Sequence, residues 1–348
     1  MKISVILSLA GLVAIGTALA GCSGGGASVA TPVTRAYVGT QAPGDVWDWN
    51  ITETGFTATN ETTGFTYAGT VSHLQTGFMK LGIESTTDPG VTVGQAAYAL
   101  ELPGTALVLK PAGADTKPPI FASSLGANPP GPTVSFNYVE VAPAGWTPAN
   151  ESYGHVLFTV TGNEFAGATK RFALDDTPLS DGTAMFTGVN GLMTTTNTPG
   201  NVPAKGAMTP SGVCVLDYGP SNGGAIGVRQ PAQPIDLSAL GTKSFLGFLI
   251  NQGKTQCVAA TPNGDGTLHG AGYANPSGVE TGASDNGSGV TVTFASQPNP
   301  GQVKLNIATS GGSETIVACV AQVNGKYMLF GFGAGSGGEP YNIVFVER

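Results

Sequence analysis

Apolar and polar residues alternate with a period of two over much of this chain. The alternation is clear over residues 65–72, 134–138 and 156–160, where every second residue is mostly aromatic or aliphatic and the residues between are mostly small or polar. A period of two with one apolar face is typical of a half-buried antiparallel strand. Strand signals of this kind recur at about the 8 to 12 residue spacing that is typical of β-sandwiches and up-and-down barrels.

Glycine and proline leave little room for helices. The chain contains 53 Gly and 24 Pro, and beyond residue 22 the longest stretch without either is Ser313–Asn324. An interior Gly costs a helix about 1 kcal/mol and an interior Pro about 3 kcal/mol. Even this stretch is rich in β-branched residues and ends at Asn324-Gly325, a pair that favours a type I′ hairpin turn. We therefore predict an all-β protein built from antiparallel, hairpin-rich barrels or sandwiches.

A break in the pattern divides the body of the chain. Residues 230–234 contain two prolines and no apolar periodicity, which is typical of a domain boundary. We therefore predict two β domains, the first over 35–232 and the second over 233–348. The second is expected to be an eight-stranded up-and-down barrel, whose interior is either filled by side chains or holds one small ligand. Its candidate strands are Lys243–Ile250, Thr255–Ala260, Thr267–Tyr273, Val290–Ala295, Val303–Thr309, Thr315–Val323, Lys326–Phe332 and Tyr341–Glu347.

A weak internal repeat accompanies this pattern. Residues 80–83, followed by 99–104 and 107–109, resemble residues 304–307, followed by 320–325 and 328–330. A third, shorter copy lies near 213–215. Either a duplicated β domain or the common pattern of β-strands explains the similarity.

The start of the chain has the pattern of an export leader, with Lys2, an apolar run and then Leu19-Ala20-Gly21-Cys22. These last four residues resemble the lipobox of bacterial lipoproteins. The resemblance implies that 1–21 is a signal peptide, that Cys22 is lipidated, and that 22–34 form a flexible tether to a membrane that holds the acyl chains. Ser23 points, in that class, to the outer membrane of a bacterial cell envelope. The alternative is a simple membrane-spanning helix.

Composition narrows the range of partners. The formal net charge is −8, and no cluster of basic residues is present, so we expect no nucleic-acid partner. Only 10% of the residues are charged, compared with about 25% in typical soluble domains. The expected surface is therefore built from Thr, Ser, Asn, Gln and Gly. Carbohydrate, protein or a small apolar ligand remains as a possible partner.

Three cysteines besides Cys22 occur in the chain, at 214, 257 and 319. An exported protein meets an oxidising compartment, which allows one disulfide and leaves one thiol over. The preferred pair is Cys257 with Cys319, because both belong to the second predicted domain. The alternative is three buried thiols that act as small apolar residues.

No motif in the sequence carries a recognisable catalytic or metal site. The loop Gly333–Gly338 fits G-x-G-x-x-G but leads into another predicted strand instead of a helix. His73, His155 and His269 are far apart in sequence, and Asp175-Asp176 with Asp181 is a weak cation candidate that we interpret as a solvated loop. We therefore assign no catalytic residue, metal ligand or cofactor, and expect no enzyme.

Tryptophan gives the candidate contact residues. Trp47 and Trp49 are two positions apart and face the same side of a strand, either inward as core or outward as a stacking surface for sugar rings. Trp146 lies in a loop and is the best single candidate for a contact. The sequence thus indicates a lipid-anchored, non-catalytic binding or structural module of the bacterial cell envelope. The alternatives are a carrier of a small apolar ligand, similar to lipocalins in shape, and an envelope-polymer enzyme of unrecognised type.

Overall fold

The structure is a computed structural model. The residues that it describes all belong to one compact unit that spans 33–348, and the predicted leader, Cys22 and most of the predicted tether lie outside them. The described residues are 33–41, 45–112, 118–124, 126, 132–141, 153–189, 191–195, 205–208, 212–217, 224–251, 254–273, 277–282, 289–335 and 338–348.

The described residues form three closed barrels of eight antiparallel strands each. The first barrel contains β1 Arg35–Gln41, β2 Asp45–Ile51, β3 Gly55–Asn60, β4 Thr66–His73, β5 Met79–Thr86, β6 Ala96–Leu102, β7 Ala106–Lys110 and β8 Ile120–Ser124. The second contains β9 Thr133–Val141, β10 Tyr153–Thr161, β11 Glu164–Phe172, β12 Gly182–Val189, β13 Leu192–Thr195, β14 Lys205–Met208, β15 Val213–Asp217 and β16 Gly224–Arg229. The third contains β17 Phe245–Asn251, β18 Lys254–Pro262, β19 Leu268–Gly272, β20 Val290–Asn299, β21 Gln302–Thr309, β22 Gly312–Val323, β23 Lys326–Ala334 and β24 Pro340–Glu347.

The all-β prediction is confirmed, and the number of β units is corrected. In every barrel each strand pairs with the next one along the chain, and the last strand pairs with the first. The range 35–232, predicted as one β domain, contains two barrels instead of one. The range 233–348 contains one barrel, and each of its eight strands overlaps the strand predicted at that place. Asn324 and Gly325 join β22 to β23 with φ angles of 50° and 78°, as a type I′ turn requires.

Two short helices accompany the third barrel. Helix α1 spans Leu237–Leu240, and Asp236 caps it by accepting a hydrogen bond from the Ser238 backbone N–H at 2.9 Å. Leu240 is fully buried in the apolar interior of the third barrel. Helix α2 spans Ser277–Thr281. Among the described residues no helix has the length and apolar character needed to cross a membrane.

The three barrels share one apolar core that lies between them. Strands that face this core are buried on both sides: one face points into its own barrel and the other packs against a neighbouring barrel. We call the side chains that pack between neighbouring barrels the shared core. Its members include Phe78, Tyr98, Leu100 and Val108 from the first barrel, Val139, Val215 and Ile226 from the second, and Phe248, Val317, Phe330 and Val344 from the third. The barrels are therefore parts of one folded unit.

Polar contacts also join the barrels. The Tyr98 hydroxyl donates to Glu280 Oε1 at 2.9 Å and thereby connects the first barrel to α2. Between the second and third barrels, the Asn137 side chain donates to the Pro300 carbonyl at 2.7 Å, Asn342 donates to the Glu140 carbonyl at 2.7 Å, and Gln302 donates to the Gly154 carbonyl at 2.9 Å. These bonds satisfy amide groups that the packing buries, which would otherwise cost free energy.

The internal repeat of the sequence coincides with the strand order. Residues 80–83 lie in β5 and 304–307 in β21, the fifth strands of the first and third barrels. The following segments lie in the sixth and seventh strands of the same two barrels, and 213–215 lie in β15, the seventh strand of the second. The two longer copies therefore fall on matching strands of the first and third barrels.

Candidate functional site

The interiors of the three barrels differ in how much space they leave. Cavities of about 590 Å³, 280 Å³ and 80 Å³ lie within the third, first and second barrels respectively. Pockets that hold drug-sized ligands are about 300–1,000 Å³. The third barrel is thus well inside this range, the first is at its lower edge, and the second is below it.

Aromatic side chains fill the second barrel. The ring of Phe158 contacts those of Phe136, Phe165 and Phe186 with centroid separations of 5.9–6.2 Å. Gly167 makes room for this cluster, because a Cβ there would lie 2.8 Å from Phe158 Cε1. The second barrel is therefore a packed core.

The large cavity of the third barrel exists because inward-facing positions on β19 lack side chains. Gly270 and Gly272 stand at the positions paired with Ala260 and Val258, both of which point into the barrel. A Cβ at Gly270 would have Val290 Cβ as its nearest neighbour at 3.4 Å, an ordinary contact distance. The space beside Gly270 therefore belongs to the cavity. The Gln256 side chain occupies the space beside Gly272, where a Cβ would lie 2.4 Å from Gln256 Nε2.

One end of the third barrel is closed. Phe245, Leu268, Leu305 and Leu329 meet there, and Leu240 of α1 is buried with them. The gap that remains among the side chains at this end is about 10 Å³, at the lower limit of the 10–15 Å³ or so that one water molecule needs. A ligand therefore has no entry from this side.

Among the described residues, those at the opposite end of the third barrel leave the cavity open to solvent. Asn251, Thr309 and Glu339 line the cavity there and are exposed. Tyr341 lies just inside and its hydroxyl donates to Glu314 Oε2 at 3.1 Å. Burial first, and then the Glu314 carboxylate, raise the pKa of Tyr341, so this hydroxyl stays protonated.

The deeper wall of the third-barrel cavity is aliphatic and aromatic. Its side chains are Leu249, Val258, Val290, Val292, Ile307, Ile343 and Phe345. The Gln256 amide also lines the cavity, in addition to the polar groups at the opening. A largely apolar wall suits an apolar molecule that has a polar end, because each buried CH₂ group contributes about 0.8 kcal/mol to binding. The sequence left open whether the barrel interior is filled or hollow, and it identified none of these residues. The alternate glycines of β19 were the available signal.

The smaller pocket, in the first barrel, has an aromatic lining. Trp47 stacks on Trp49 with ring centroids 5.7 Å apart, Tyr67 lies 5.3 Å from Trp47, and Phe56 lies 6.0 Å from Trp49. All four side chains are buried and line the pocket. Trp47 and Trp49 therefore point into the barrel. Of the two orientations that the sequence allowed, this is the one expected of core residues. Trp146, the third candidate, lies outside the described residues.

Polar side chains occur at one end of this pocket. Trp47 Nε1 donates to Gln41 Oε1 at 3.2 Å, and the Tyr67 hydroxyl donates to Asp88 Oδ2 at 2.8 Å. The Asn60 amide donates to Asp45 Oδ2 at 2.9 Å. Trp49 Nε1 is buried and has no hydrogen-bond partner in the described part of the chain. We call the whole first-barrel pocket, with its aromatic lining and these polar groups, the aromatic pocket.

A partly buried ion pair lies at the other end of the first barrel. Arg35 Nη2 donates to Glu101 Oε2 at 2.8 Å, and the Tyr37 hydroxyl donates to Glu101 Oε1 at 2.5 Å. The Tyr37 oxygen in turn accepts the Gly104 backbone N–H at 3.0 Å. Burial, followed by the hydrogen bond to Glu101, raises the pKa of Tyr37. Sequence reasoning did not find this cluster, because Glu101 is more than 60 residues from Arg35 and Tyr37 in the chain.

The cysteine prediction is corrected. Cys214, Cys257 and Cys319 are buried thiols, and no disulfide joins Cys257 to Cys319. The side chains of Cys257 and Cys319 both lie in the shared core, whereas Cys214 points into the second barrel. Burial raises the pKa of the Cys214 thiol to about 12. The alternative of three buried thiols describes the structure.

The histidines and the candidate cation loop lie apart from the cavities. His73 faces Glu53 at 3.5 Å with both side chains exposed. His155 Nδ1 is buried and has no hydrogen-bond partner among the described residues, and burial, then the charge of Lys170, lower the pKa of His155. In the loop, Asp176 pairs with Lys304 and Asp181 with Lys170. Within the described ranges no group of three or more His, Cys, Asp or Glu side chains is placed to hold a metal ion.

Comparison with known proteins adds little to this picture. No protein-family model matches the chain, and no curated protein matches it. A solved structure of a protein of unknown function from the DUF3598 family of Nostoc punctiforme aligns with 62% of this chain and 94% of its own, at 11% identity and a TM-score of 0.24. A likeness this low carries no argument about function.

Proposed function

We propose that this protein is a non-catalytic binding module that holds one small, mainly apolar molecule in its third barrel. The carrying observation is the cavity of about 590 Å³, closed at one end and open at the other. Eight-stranded barrels have interiors that are either filled or hold one small ligand. Gly270 on β19 adds space to this interior, while the neighbouring second barrel has the same strand number and is packed.

The chemistry of the cavity supports an amphipathic occupant. Among the described residues, the deeper wall of the cavity carries no charged side chain, whereas Glu314, Tyr341 and Glu339 lie at the opening. A long apolar body in the barrel and a hydroxyl, amide or amine at the opening would satisfy both regions. A carboxylate or phosphate would face two glutamates, so we expect anionic amphiphiles to bind more weakly than neutral or cationic ones.

The binding test uses a neutral apolar dye, N-phenyl-1-naphthylamine, whose fluorescence rises in apolar surroundings. We expect saturable binding that the variants Val258→Trp and Ile307→Trp each weaken at least tenfold, because an indole ring at either position occupies the cavity. The matched control is Val189→Trp, which adds the same ring at an exposed position of the second barrel. Equal binding by all four proteins would refute the proposal, and folding of each variant is checked by circular dichroism.

We further propose that the module works at the bacterial cell envelope, anchored by acyl chains on Cys22. The support is the leader with its lipobox, together with the small-residue segment 22–34. One acyl chain binds a membrane only marginally and two or more hold it firmly. Growth with an alkyne-labelled fatty acid should label the wild-type protein, and Cys22→Ala should abolish the label and release the protein from the membrane fraction. Labelling that persists in Cys22→Ala would refute the anchor.

A further inference from the structure

We infer that the aromatic pocket of the first barrel is a second binding site, and that it takes a small organic cation carrying a quaternary ammonium group. The site is separate from the third-barrel cavity and does not depend on the function proposed for it. At about 280 Å³ it suits a ligand smaller than a typical drug.

The walls of the pocket offer several aromatic rings to one occupant. Trp47, Trp49, Phe56 and Tyr67 line it together, with neighbouring ring centroids 5.3–6.0 Å apart. A cation within about 6 Å of a ring centroid is attracted by the negative face of the ring, and tryptophan gives the strongest attraction. Cages of this composition are the usual means by which proteins bind quaternary ammonium groups.

The electrostatics at the polar end of the aromatic pocket favour positive charge. The carboxylates of Asp45 and Asp88 line the pocket, and none of the described residues that line it is Lys, Arg or His. The one Arg associated with this barrel interior, Arg35, lies at the opposite end and is paired with Glu101.

The hydrogen bonds within the pocket argue against a sugar as the preferred occupant. Sugar recognition needs several donors and acceptors aimed at hydroxyl groups, but Gln41 is engaged by Trp47, Asn60 by Asp45, and Tyr67 by Asp88. Ammonium methyl groups need no such partners. The donor that remains is Trp49 Nε1, which is buried and without a partner among the described residues. One acceptor oxygen on the ligand would relieve the cost of leaving that donor unsatisfied.

Choline has both features, a quaternary ammonium group and one hydroxyl oxygen, and is the probe for the test. The chain contains three tryptophans, so a Trp146→Phe background leaves only Trp47 and Trp49 to report by fluorescence. Isothermal titration calorimetry of the wild-type protein provides a second, label-free measurement. The neutral comparison ligand is 3,3-dimethyl-1-butanol, in which carbon replaces the ammonium nitrogen.

We expect saturable choline binding and at least tenfold weaker binding of the neutral analogue. Asp88→Asn and Asp45→Asn should each weaken choline binding about fivefold while leaving the neutral analogue unchanged. The matched control is Glu53→Gln, which removes the same charge at the opposite end of the barrel, where Glu53 is exposed, and should have no effect. Trp49→Phe should weaken choline more than tetramethylammonium, because only choline supplies the acceptor oxygen.

Three results would overturn the inference. Equal affinity for choline and its neutral analogue would show that charge is not recognised. Tighter saturable binding of glucose or of a disaccharide than of choline would assign the pocket to carbohydrate. Absence of both a fluorescence change and a heat of binding at millimolar choline would show that the pocket does not take this ligand.

Discussion

Replacement of Phe78 by Ala tests whether the three barrels are one cooperative unit. Phe78 lies in the turn between β4 and β5 of the first barrel and is fully buried, although it lies outside that barrel's interior. Its ring packs edge-on against Phe248 at 5.6 Å and Tyr273 at 6.1 Å, both in the third-barrel segment. The substitution therefore removes a contact between barrels without emptying either one.

The expected loss of stability follows from complete burial. Truncation of a fully buried Phe to Ala typically costs about 3–5 kcal/mol through lost transfer free energy and a cavity that does not fully collapse. Natural proteins are stable by about 5–15 kcal/mol, so a loss of this size is a large share of the total. Because the lost contact couples two barrels, we also expect unfolding to become less cooperative.

Differential scanning calorimetry and urea denaturation measure both effects. We expect one transition for the wild-type chain, and for Phe78→Ala a lower midpoint together with a broadened or divided transition. The matched control is Phe158→Ala in the packed interior of the second barrel, which should lower the midpoint by a similar amount but keep one transition. A loss below about 1 kcal/mol for Phe78→Ala, with an undivided transition, would refute the shared-core account.

Two further predictions concern stability. Glu101→Ala should lower the free energy of unfolding by about 1–3 kcal/mol, since it removes the acceptor of the Arg35 and Tyr37 hydrogen bonds, whereas Glu53→Ala on the surface should change it by no more than about 0.5 kcal/mol. A loss no larger than that of Glu53→Ala in urea denaturation would contradict the first value. Burial and Lys170 lower the folded-state pKa of His155 below its ordinary 6.5. As the pH falls, the unfolded chain therefore takes up a proton at this histidine before the folded chain does. The stability that neutral His155 contributes is complete above pH 6.5 and declines as the pH falls. Melting temperatures from pH 8 to pH 5 should therefore fall more steeply for the wild-type protein than for His155→Gln, and parallel curves would exclude this role.

The sequence predicted the third barrel well because local chemistry determines it. Glycine and proline excluded long helices, and turn residues such as Asn324-Gly325 marked the ends of strands. Each of the eight strands of the third barrel therefore lies where the pattern placed it. The second barrel was missed, although Pro129-Pro130-Gly131-Pro132 stands between β8 and β9 and is as strong a boundary signal as residues 230–234.

The cavities could not be predicted from the sequence alone. Whether an eight-stranded barrel is hollow depends on the summed volumes of side chains from all its strands, which are far apart in sequence. Gly270 borders open space, whereas the Gln256 side chain occupies the space beside Gly272 and the Phe158 ring occupies the space beside Gly167. The disulfide preference for Cys257 and Cys319 had the same weakness, because sequence does not show that both thiols lie in a tightly packed core between barrels.

Native mass spectrometry of the full chain, purified from its own cells in mild detergent, is the most direct test of the third barrel as a ligand site. We predict a bound apolar molecule at about one per chain, recovered by organic extraction, and its loss in Val258→Trp. A wild-type protein that carries no such molecule, and that takes none up from a total lipid extract, would contradict the account.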